Sequence, residues 1–418
     1  MLKPLHTIQV FEYSSLQYGV EYHNVLFKET HFNALVKLNE LHKNKYFTIG
    51  YKKIIFKQYV GVIQVDGLTI EILPKIDNDT KSEAVWQNAL IEMLQVTKKL
   101  KVQKVGNAHV KKQQIHLLDI YFEWFLNEVQ LLLHQGLIKQ YYKETSNVKA
   151  LKGKLEFAGH IAKNLVHKER FFTTHQVYDK DHLVHQILGQ ALYIIAQLSK
   201  GNYLYNRCKT VQLDFPEVTS IKANDTTFSK IPKSRKTAPY ETALAIARLI
   251  ILNYAPNVSS GNEKMLALLF DMNSLWEEYI LIRLKQAADN DVTIYGQNST
   301  GFWNGISIRP DIVIEKDKGE SKETYIIDTK WKNIDYVMPS THDLRQMFVY
   351  NKYWDSKKAM LLYPSNDTKE FESKSFIDFE DQEHGCALGK VSIFKDNKGT
   401  LDDEIGTKIL SWFGIPAE

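Results

Sequence analysis

The stretch "IRPDIVIEKDKGESKETYIIDTKWK", residues 308–332, decides how the C-terminal part of this chain is read. Two apolar runs flank a polar middle that contains Gly319, so the pattern predicts a hairpin. Side chains alternate faces along a strand. Ile306, Ile308, Pro310, Ile312 and Ile314 therefore share one face of a strand over 306–315, and Asp311 lies on the other. On the returning strand, 323–331, Asp328 and Lys330 share a side. A turn centred between Gly319 and Glu320 sets Asp311 opposite Asp328. Two facing carboxylates repel, and a divalent cation between them reverses the sign. A charged solvent face of an ordinary hairpin is the competing reading, because D-x-K is common by chance. Against it, "TYIIDTKW" is apolar on both sides and reads as a buried central strand, where a lone Asp and Lys are expensive.

Neighbouring segments add candidates. Glu277 lies upstream on the predicted helix "SLWEEYILIRL", available as a further metal ligand. Ser274-Leu-Trp-Glu277 also matches a capping box, so Glu277 has a structural alternative, and Glu278 is the other available acid. Downstream, Gln346 and Tyr350 stand one turn apart on one face of the helix predicted from "STHDLRQMFVYNKYWDS", whether as part of the site or as a surface pair. Two aspartates on adjacent strands suit Mg²⁺, which takes oxygen ligands and keeps waters, with Mn²⁺ as a substitute. A lysine on the same face can stabilise charge on a phosphate, which points to hydrolysis of a phosphodiester.

Working outward, helix, three strands, helix, strand is an α/β sandwich pattern. The chain has 418 residues, which predicts two or three domains. We expect an N-terminal β-rich α+β domain over 1–115, a middle helical region with a β-hairpin over 116–258, and a C-terminal α/β domain over 259–418. In the first, "THFNALVKLNELHKN" has helical spacing, and Asp66-Gly67 between alternating apolar residues marks a hairpin. The stretch "KKLKVQKVGNAHVKKQQ" follows, with Lys98, Lys99, Lys101, Lys104, Lys111 and Lys112; it is read as a solvated helix end, or else as a phosphate- or partner-contacting patch. In the middle region "LLDIYFEWFLNEVQLLLHQG" is an amphipathic helix closed by Gly136, "LIKQYYKETSNVKALKGKLEF" is two strands around a polar turn, and 200–240 is irregular. His175, His182 and His185 lie near one another in sequence, without the acidic or cysteine partners a zinc site needs.

Bulk numbers exclude several classes. With 53 basic and 49 acidic residues the net charge is +4, which fits a DNA-binding surface only if the charge is clustered. Cys208 and Cys386 are the two cysteines, too few for a disulfide framework or a cysteine-based zinc site, and a reducing cytoplasmic setting fits. No signal-peptide core is expected in "MLKPLHTIQVFEYSS", and "TALAIARLIILNYA" is too short for a membrane span and contains Arg248. Nothing fits GxxxxGK[ST], so nucleotide hydrolysis is expected from a partner.

Pro310-Asp311 followed by Asp328-Thr329-Lys330 resembles the PD-(D/E)XK nuclease signature, and Glu277 and Gln346-x-x-x-Tyr350 resemble the flanking elements of its RecB-like branch. Together with "YVGVIQVDGLTIEILPKI", "ALKGKLEF" leading into "YDKDHLVHQILGQAL", and "DMNSLWEEY", these stretches make the chain similar to the McrC family, nuclease subunits of McrBC-type restriction systems for modified DNA. The resemblance implies a restriction-endonuclease-like C-terminal domain that cuts double-stranded DNA with Mg²⁺. It implies Asp311, Asp328, Lys330 and Glu277 as catalytic residues, with Glu277 and both aspartates as metal ligands and Gln346 and Tyr350 in support. It further implies a McrB-like AAA+ GTPase partner in phage defence, docked on the N-terminal and middle parts. Lys149, Lys152 and Lys154, in the basic hairpin-like segment, are the expected partner contacts. Competing expectations are a nuclease of repair or transposition, and a non-catalytic activator that keeps a nuclease fold as scaffold.

Overall fold

The computed structural model describes the chain except residues 1–5, 66, 77–80, 100–115, 257–263, 318, 320, 333–338, 357, 366–368, 371–373, 377–384, 396–398 and 416–418. Lys101, Lys104, Lys111 and Lys112 of the lysine-rich stretch therefore lie outside the described residues. It is a mixed α/β protein with several separate sheets. Two compact units account for its contacts: one is built from Ala108–Leu268, the other from Leu5–Asn107 together with Leu269–Glu418. The segments expected at 1–115 and 259–418 thus share a unit over most of their length.

In the shared unit, strands Tyr59–Val65 and Leu68–Leu73 form the hairpin expected at Asp66-Gly67, every described residue of both strands buried. Gly67 has φ +76°, the left-handed turn conformation that glycine adopts without Cβ strain. Strand His6–Phe11 runs parallel to Leu68–Leu73. The helix Glu29–Leu41 forms where helical spacing places it.

The C-terminal part of that unit is a sheet whose central order is Val292–Gly296, Ile312–Asp317, Lys322–Thr329, Lys358–Ser365, Gly385–Ser392. The first three pair antiparallel; the last two join in parallel. Parallel central strands need cover on both faces, and Lys358–Ser365 and the inner half of Lys322–Thr329 are buried runs accordingly. The helix Thr341–Tyr353 covers one face, setting Met347 and Tyr350 against Ile326, Ala359, Leu361 and Tyr363. The helix Met272–Ala287 carries the candidate acid.

Three sequence expectations are corrected. The strand expected over 306–315 is broken: Ile306–Ile308 pairs with Thr300–Trp303, and a new strand begins at Ile312. Proline has no N–H for a ladder, so Pro310 interrupts the run although the apolar alternation reads straight through it. In the other unit, Gln140–Val148 does not pair with Lys154–Leu155; both flank Phe171–Asp179 in a three-stranded antiparallel sheet. The region 200–240 is not irregular, since it contains the helix Tyr203–Asp214. In that same unit the amphipathic helix runs Leu117–Gln135 and ends at Gly136, φ +87°. "TALAIARLIILNYA" supplies the helix Glu241–Leu252, and among the described residues no helix is long and apolar enough to cross a membrane.

Candidate functional site

The Ile312–Asp317 and Lys322–Thr329 strands pair with Ile312 opposite Ile327. Continuing that register one residue sets Asp311 opposite Asp328, as the turn beside Gly319 (φ +85°) predicts. Asp328 is 1% exposed, so the reading of these residues as a charged solvent face is wrong. Its Oδ1 accepts from Gln346 Nε2 at 3.3 Å. Lys330 Nζ lies 2.5 Å from Oδ2, an ion pair with the carboxylate buried and the ammonium partly exposed. Asp311 is held differently: its Oδ2 accepts from the Thr329 backbone N–H at 2.7 Å and from Thr329 Oγ1 at 2.9 Å. The residue between Asp328 and Lys330 thereby tethers the opposite aspartate across the hairpin.

The acid helix gives Glu277 and Glu278 different surroundings. Asp271, not Ser274, is the N-cap, accepting from the backbone of Asn273 and Ser274. Glu277 is therefore in the second turn, and the capping-box alternative falls. Glu278 pairs with Lys99 at 2.5 Å, which accounts for that lysine of the basic stretch and turns Glu278 to another task. Glu277 Oε1 accepts from Gln297 Nε2 at 2.8 Å. Burial, and then the charge of Asp311, push the Glu277 carboxyl up to about 7, against the Gln297 hydrogen bond and the Arg309 charge. Burial and Asp311 likewise push Asp328 up to about 6, against the pull of Lys330. Burial disfavours the Lys330 charge, but the adjacent Asp328 outweighs it and raises the ammonium pKa.

Gln346 and Tyr350 are not a surface pair. Gln346 Nε2 also donates to Tyr350 Oη at 2.7 Å, and Tyr350 Oη donates to the Arg309 carbonyl at 2.9 Å. One relay thus runs from the Asp328 carboxylate to the Arg309 carbonyl, two residues before Asp311. Asp343 enters the same neighbourhood: it is buried and pairs with Lys332 at 3.3 Å. Burial raises its carboxyl, but its contacts with Ser340 and Lys332 prevail and hold it below the usual range.

All donors here are oxygens, which suit a hard cation such as Mg²⁺ or Mn²⁺ rather than zinc. Among the described residues no three His, Cys, Asp or Glu side chains gather at metal-holding spacing. The fit is instead that of a two-aspartate site: Asp328 buried, Asp311 beside it and raising it, and a third carboxylate, Glu277, close enough for the charges of Asp311 and Asp328 to raise it. Mg²⁺ needs no complete protein cage, since it keeps waters and takes phosphate oxygens.

Sequence reasoning missed Gln297, Thr329 and Asp343. Thr329 lay inside the quoted motif, and its alternation to the face opposite Asp328 hid its tether to Asp311. Two of the three histidines bond backbone carbonyls: His185 Nδ1 meets the Lys180 carbonyl at 2.7 Å and His182 Nε2 the Ile138 carbonyl at 3.1 Å, and burial pushes His185 down to about 4. Lys149, Lys152 and Lys154 are exposed around the short Lys154–Leu155 strand, and Lys154 lies 3.6 Å from Glu156.

Residues 54–364 match the family described as "McrBC 5-methylcytosine restriction system component". A curated relative, the type IV methyl-directed restriction enzyme EcoKMcrBC of Escherichia coli (strain K12), is 22% identical over 275 residues, covering 60% of this chain and 78% of that one. Among solved structures, a chain of the half-complex of Thermococcus gammatolerans McrB AAA+ hexamers with bound McrC superposes with TM-score 0.70 at 18% identity, over 97% of this chain and all of that one. A chain of the Thermococcus gammatolerans McrBC complex gives 0.51 at 19% identity, over 67% and 87%. At these identities the superpositions speak for the fold.

Proposed function

The chain belongs to the McrBC family of 5-methylcytosine restriction-system components, and from that premise we propose that it is the McrC-like nuclease subunit, a Mg²⁺-dependent endodeoxyribonuclease. One observation carries the reading: Asp328, 1% exposed in an apolar strand, stands in the register opposite Asp311 and pairs with Lys330 at 2.5 Å, a second carboxylate and an ammonium gathered around a buried charge. Such a carboxylate is costly to a fold and useful to a cation site.

Asp311 and Asp328 would hold Mg²⁺, with Mn²⁺ able to replace it, and Glu277 is proposed as a further ligand that moves in when the ion binds. The bound ion supplies Lewis-acid polarisation of the scissile phosphate and a lowered water pKa. Lys330 supplies a fixed ammonium for the phosphate charge that builds as the bond breaks. Gln346 and Tyr350 fix Asp328 and the Arg309 carbonyl, and Thr329 fixes Asp311, so the carboxylates are oriented before DNA arrives. Glu277, with its raised pKa, is the group whose ionisation the site uses last. These features support a PD-(D/E)XK-type centre.

The partner is proposed as a McrB-like AAA+ GTPase, which supplies nucleotide hydrolysis and recognition of the modified base in the cytoplasm. Exposed Lys149, Lys152 and Lys154 are the proposed contacts, beside the helix Phe157–Asn164, whose Phe157 and Ile161 are also exposed. A single site cuts one strand, so double-strand cleavage requires two copies.

The test is cleavage of 5-methylcytosine-containing DNA by the wild type and Asp328→Ala with Mg²⁺, with and without the McrB-like partner and GTP. Cleavage lost in the variant, with stimulation of GTP hydrolysis intact, is expected. No cleavage by wild type under any of these conditions, with stimulation intact, overturns the nuclease role and leaves a non-catalytic activator.

A further inference from the structure

Glu12 follows the first strand and is 6% exposed, yet it is remote in sequence from every residue of the candidate centre. A buried carboxylate is expensive unless it is satisfied by strong donors. Glu12 Oε1 accepts from the Trp331 indole Nε1 at 2.6 Å and from the Lys75 backbone N–H at 3.2 Å. The Glu12 N–H itself donates to the Leu73 carbonyl at 2.9 Å, which ties its backbone to the N-terminal sheet. The next residue, Tyr13, is held at φ +60°, a left-handed conformation that costs a non-glycine residue about 1 kcal/mol or more and persists where its surroundings over-determine it.

Trp331 directly follows Lys330. Along extended chain, neighbouring side chains point to opposite sides, so an anchored Trp331 fixes the direction in which Lys330 leaves the backbone. The Lys330 N–H donates to the Leu362 carbonyl at 2.9 Å, which holds the same backbone on its sheet side. Trp331 also packs edge-to-face on Trp276, ring centres 5.5 Å apart, and Trp276 directly precedes Glu277. The two indoles therefore connect the lysine side of the centre to its helix acid. The N-terminal part of the chain also bonds that helix directly: the Met272 N–H donates to the Gln58 carbonyl at 2.9 Å, at the start of the acid helix.

We propose that Glu12 is a positioning residue of the nuclease centre, holding Lys330 against Asp328 through the Trp331 indole. The inference rests on the nuclease reading of that centre for its effect on cleavage, but not for its effect on Lys330.

The experiment compares the full chain as wild type, Glu12→Gln, Glu12→Leu, Trp331→Phe and the Glu12→Leu/Trp331→Phe double variant. Glutamine keeps an acceptor for the indole; leucine does not. Phenylalanine keeps an aromatic ring, smaller than the indole, and loses the N–H, so it serves where Glu12→Leu fails to fold. Two quantities are read: single-turnover DNA cleavage with Mg²⁺ and partner, and the rate at which the Lys330 amine is acylated at fixed pH, followed by peptide mass spectrometry. Glu12→Gln should cleave within about threefold of wild type, whereas Glu12→Leu and Trp331→Phe should each be about tenfold slower or more, since small misplacement of a reacting group costs up to about a hundredfold. The double variant should be no slower than either single one, because both remove the same contact. Lys330 should acylate severalfold faster in both single variants, with other lysines unchanged. Unchanged Lys330 acylation, or rate losses that multiply in the double variant, overturns the proposal. If wild type does not cleave while Lys330 acylation still rises, the positioning role stands and the nuclease reading fails.

Discussion

Replacing Asp328 with asparagine should stabilise the metal-free protein while abolishing cleavage. Burial and the Asp311 charge move the Asp328 carboxyl from 3.8 to about 6 in the fold. A folded-state pKa raised above the unfolded value means the native state binds the proton more tightly. Native stability therefore falls as pH rises from about 4 through about 6, and the full cost is present at pH 8. The shift is 6 − 3.8, roughly two units, which at about 1.4 kcal/mol per unit is about 3 kcal/mol. Asparagine has the same shape and no charge to desolvate. The abandoned Lys330, with 22% of its side chain exposed, can turn its ammonium to water. For a folding unit of this size each kcal/mol moves Tm by about 2–4 °C, so Asp328→Asn should melt about 6–12 °C above wild type at pH 8 in EDTA. The difference should vanish towards pH 4.

Mg²⁺ should narrow the difference and, near saturation, invert it. An ion bound only by the native state adds about 1.4 kcal/mol at ten times its Kd and about 4 kcal/mol at a thousand times, and only wild type should gain it. Thermal melting at pH 4, 6 and 8, in EDTA and in MgCl₂, measures all of this. If Asp328→Asn melts at or below wild type at pH 8 in EDTA, Asp328 is an ordinary structural acceptor for Gln346 and Lys330, and the argument from its burial collapses.

Glu277, raised to about 7 by burial and then Asp311, should gate metal binding: the Mg²⁺-induced rise in Tm should shrink as pH falls through about 7, and Glu277→Gln should lose most of the rise at every pH. Tyr350→Phe removes the hydroxyl between Gln346 and the Arg309 carbonyl, leaving that carbonyl unpaired; a loss of about 1–3 kcal/mol in urea unfolding is expected, with slower cleavage. Alanine at Lys149, Lys152 and Lys154 together should cut stimulation of the partner's GTP hydrolysis and leave the melting temperature within about a degree, because exposed side chains contribute little to stability. Unchanged stimulation would reject those contacts.

Legibility followed the range of the interactions. The Asp311–Asp328 juxtaposition could be read because the register of a hairpin is fixed by its turn, and Gly319 marked that turn. The Asp66-Gly67 hairpin and the helix closed by Gly136 were legible for the same reason: each is written in a few adjacent residues. The Tyr203–Asp214 helix left a trace that was passed over, since Leu204, Cys208 and Val211 form a buried stripe at spacings of four and three within a polar segment. Phe171–Asp179 is half-exposed along its length, so no apolar pattern announced it or its pairing with Gln140–Val148. Gln297 at Glu277 and Glu12 at Trp331 could not be read at all, because nothing local in sequence records a contact across 20 or 319 positions.

The same contrast bears on whether the centre is more than scaffold. A hairpin that only needed to fold would place apolar residues in the inner half of Lys322–Thr329, as at Ile326 and Ile327, and not Asp328. Asp328 costs stability in proportion to its displaced pKa, the Asp311 charge adds to that cost by repulsion, and burial with the charges of Asp311 and Asp328 does the same to Glu277. Around them Thr329, Gln297, Gln346, Tyr350 and Lys330 are spent on satisfying or orienting these three carboxylates, and none of those contacts would be needed if the carboxylates were replaced by apolar groups of similar size. A destabilising group surrounded by several residues that only orient it is the arrangement expected where geometry is used by a ligand. The ligand that relieves carboxylate repulsion and takes oxygen donors is a divalent cation, and the fixed ammonium beside it suits a phosphate.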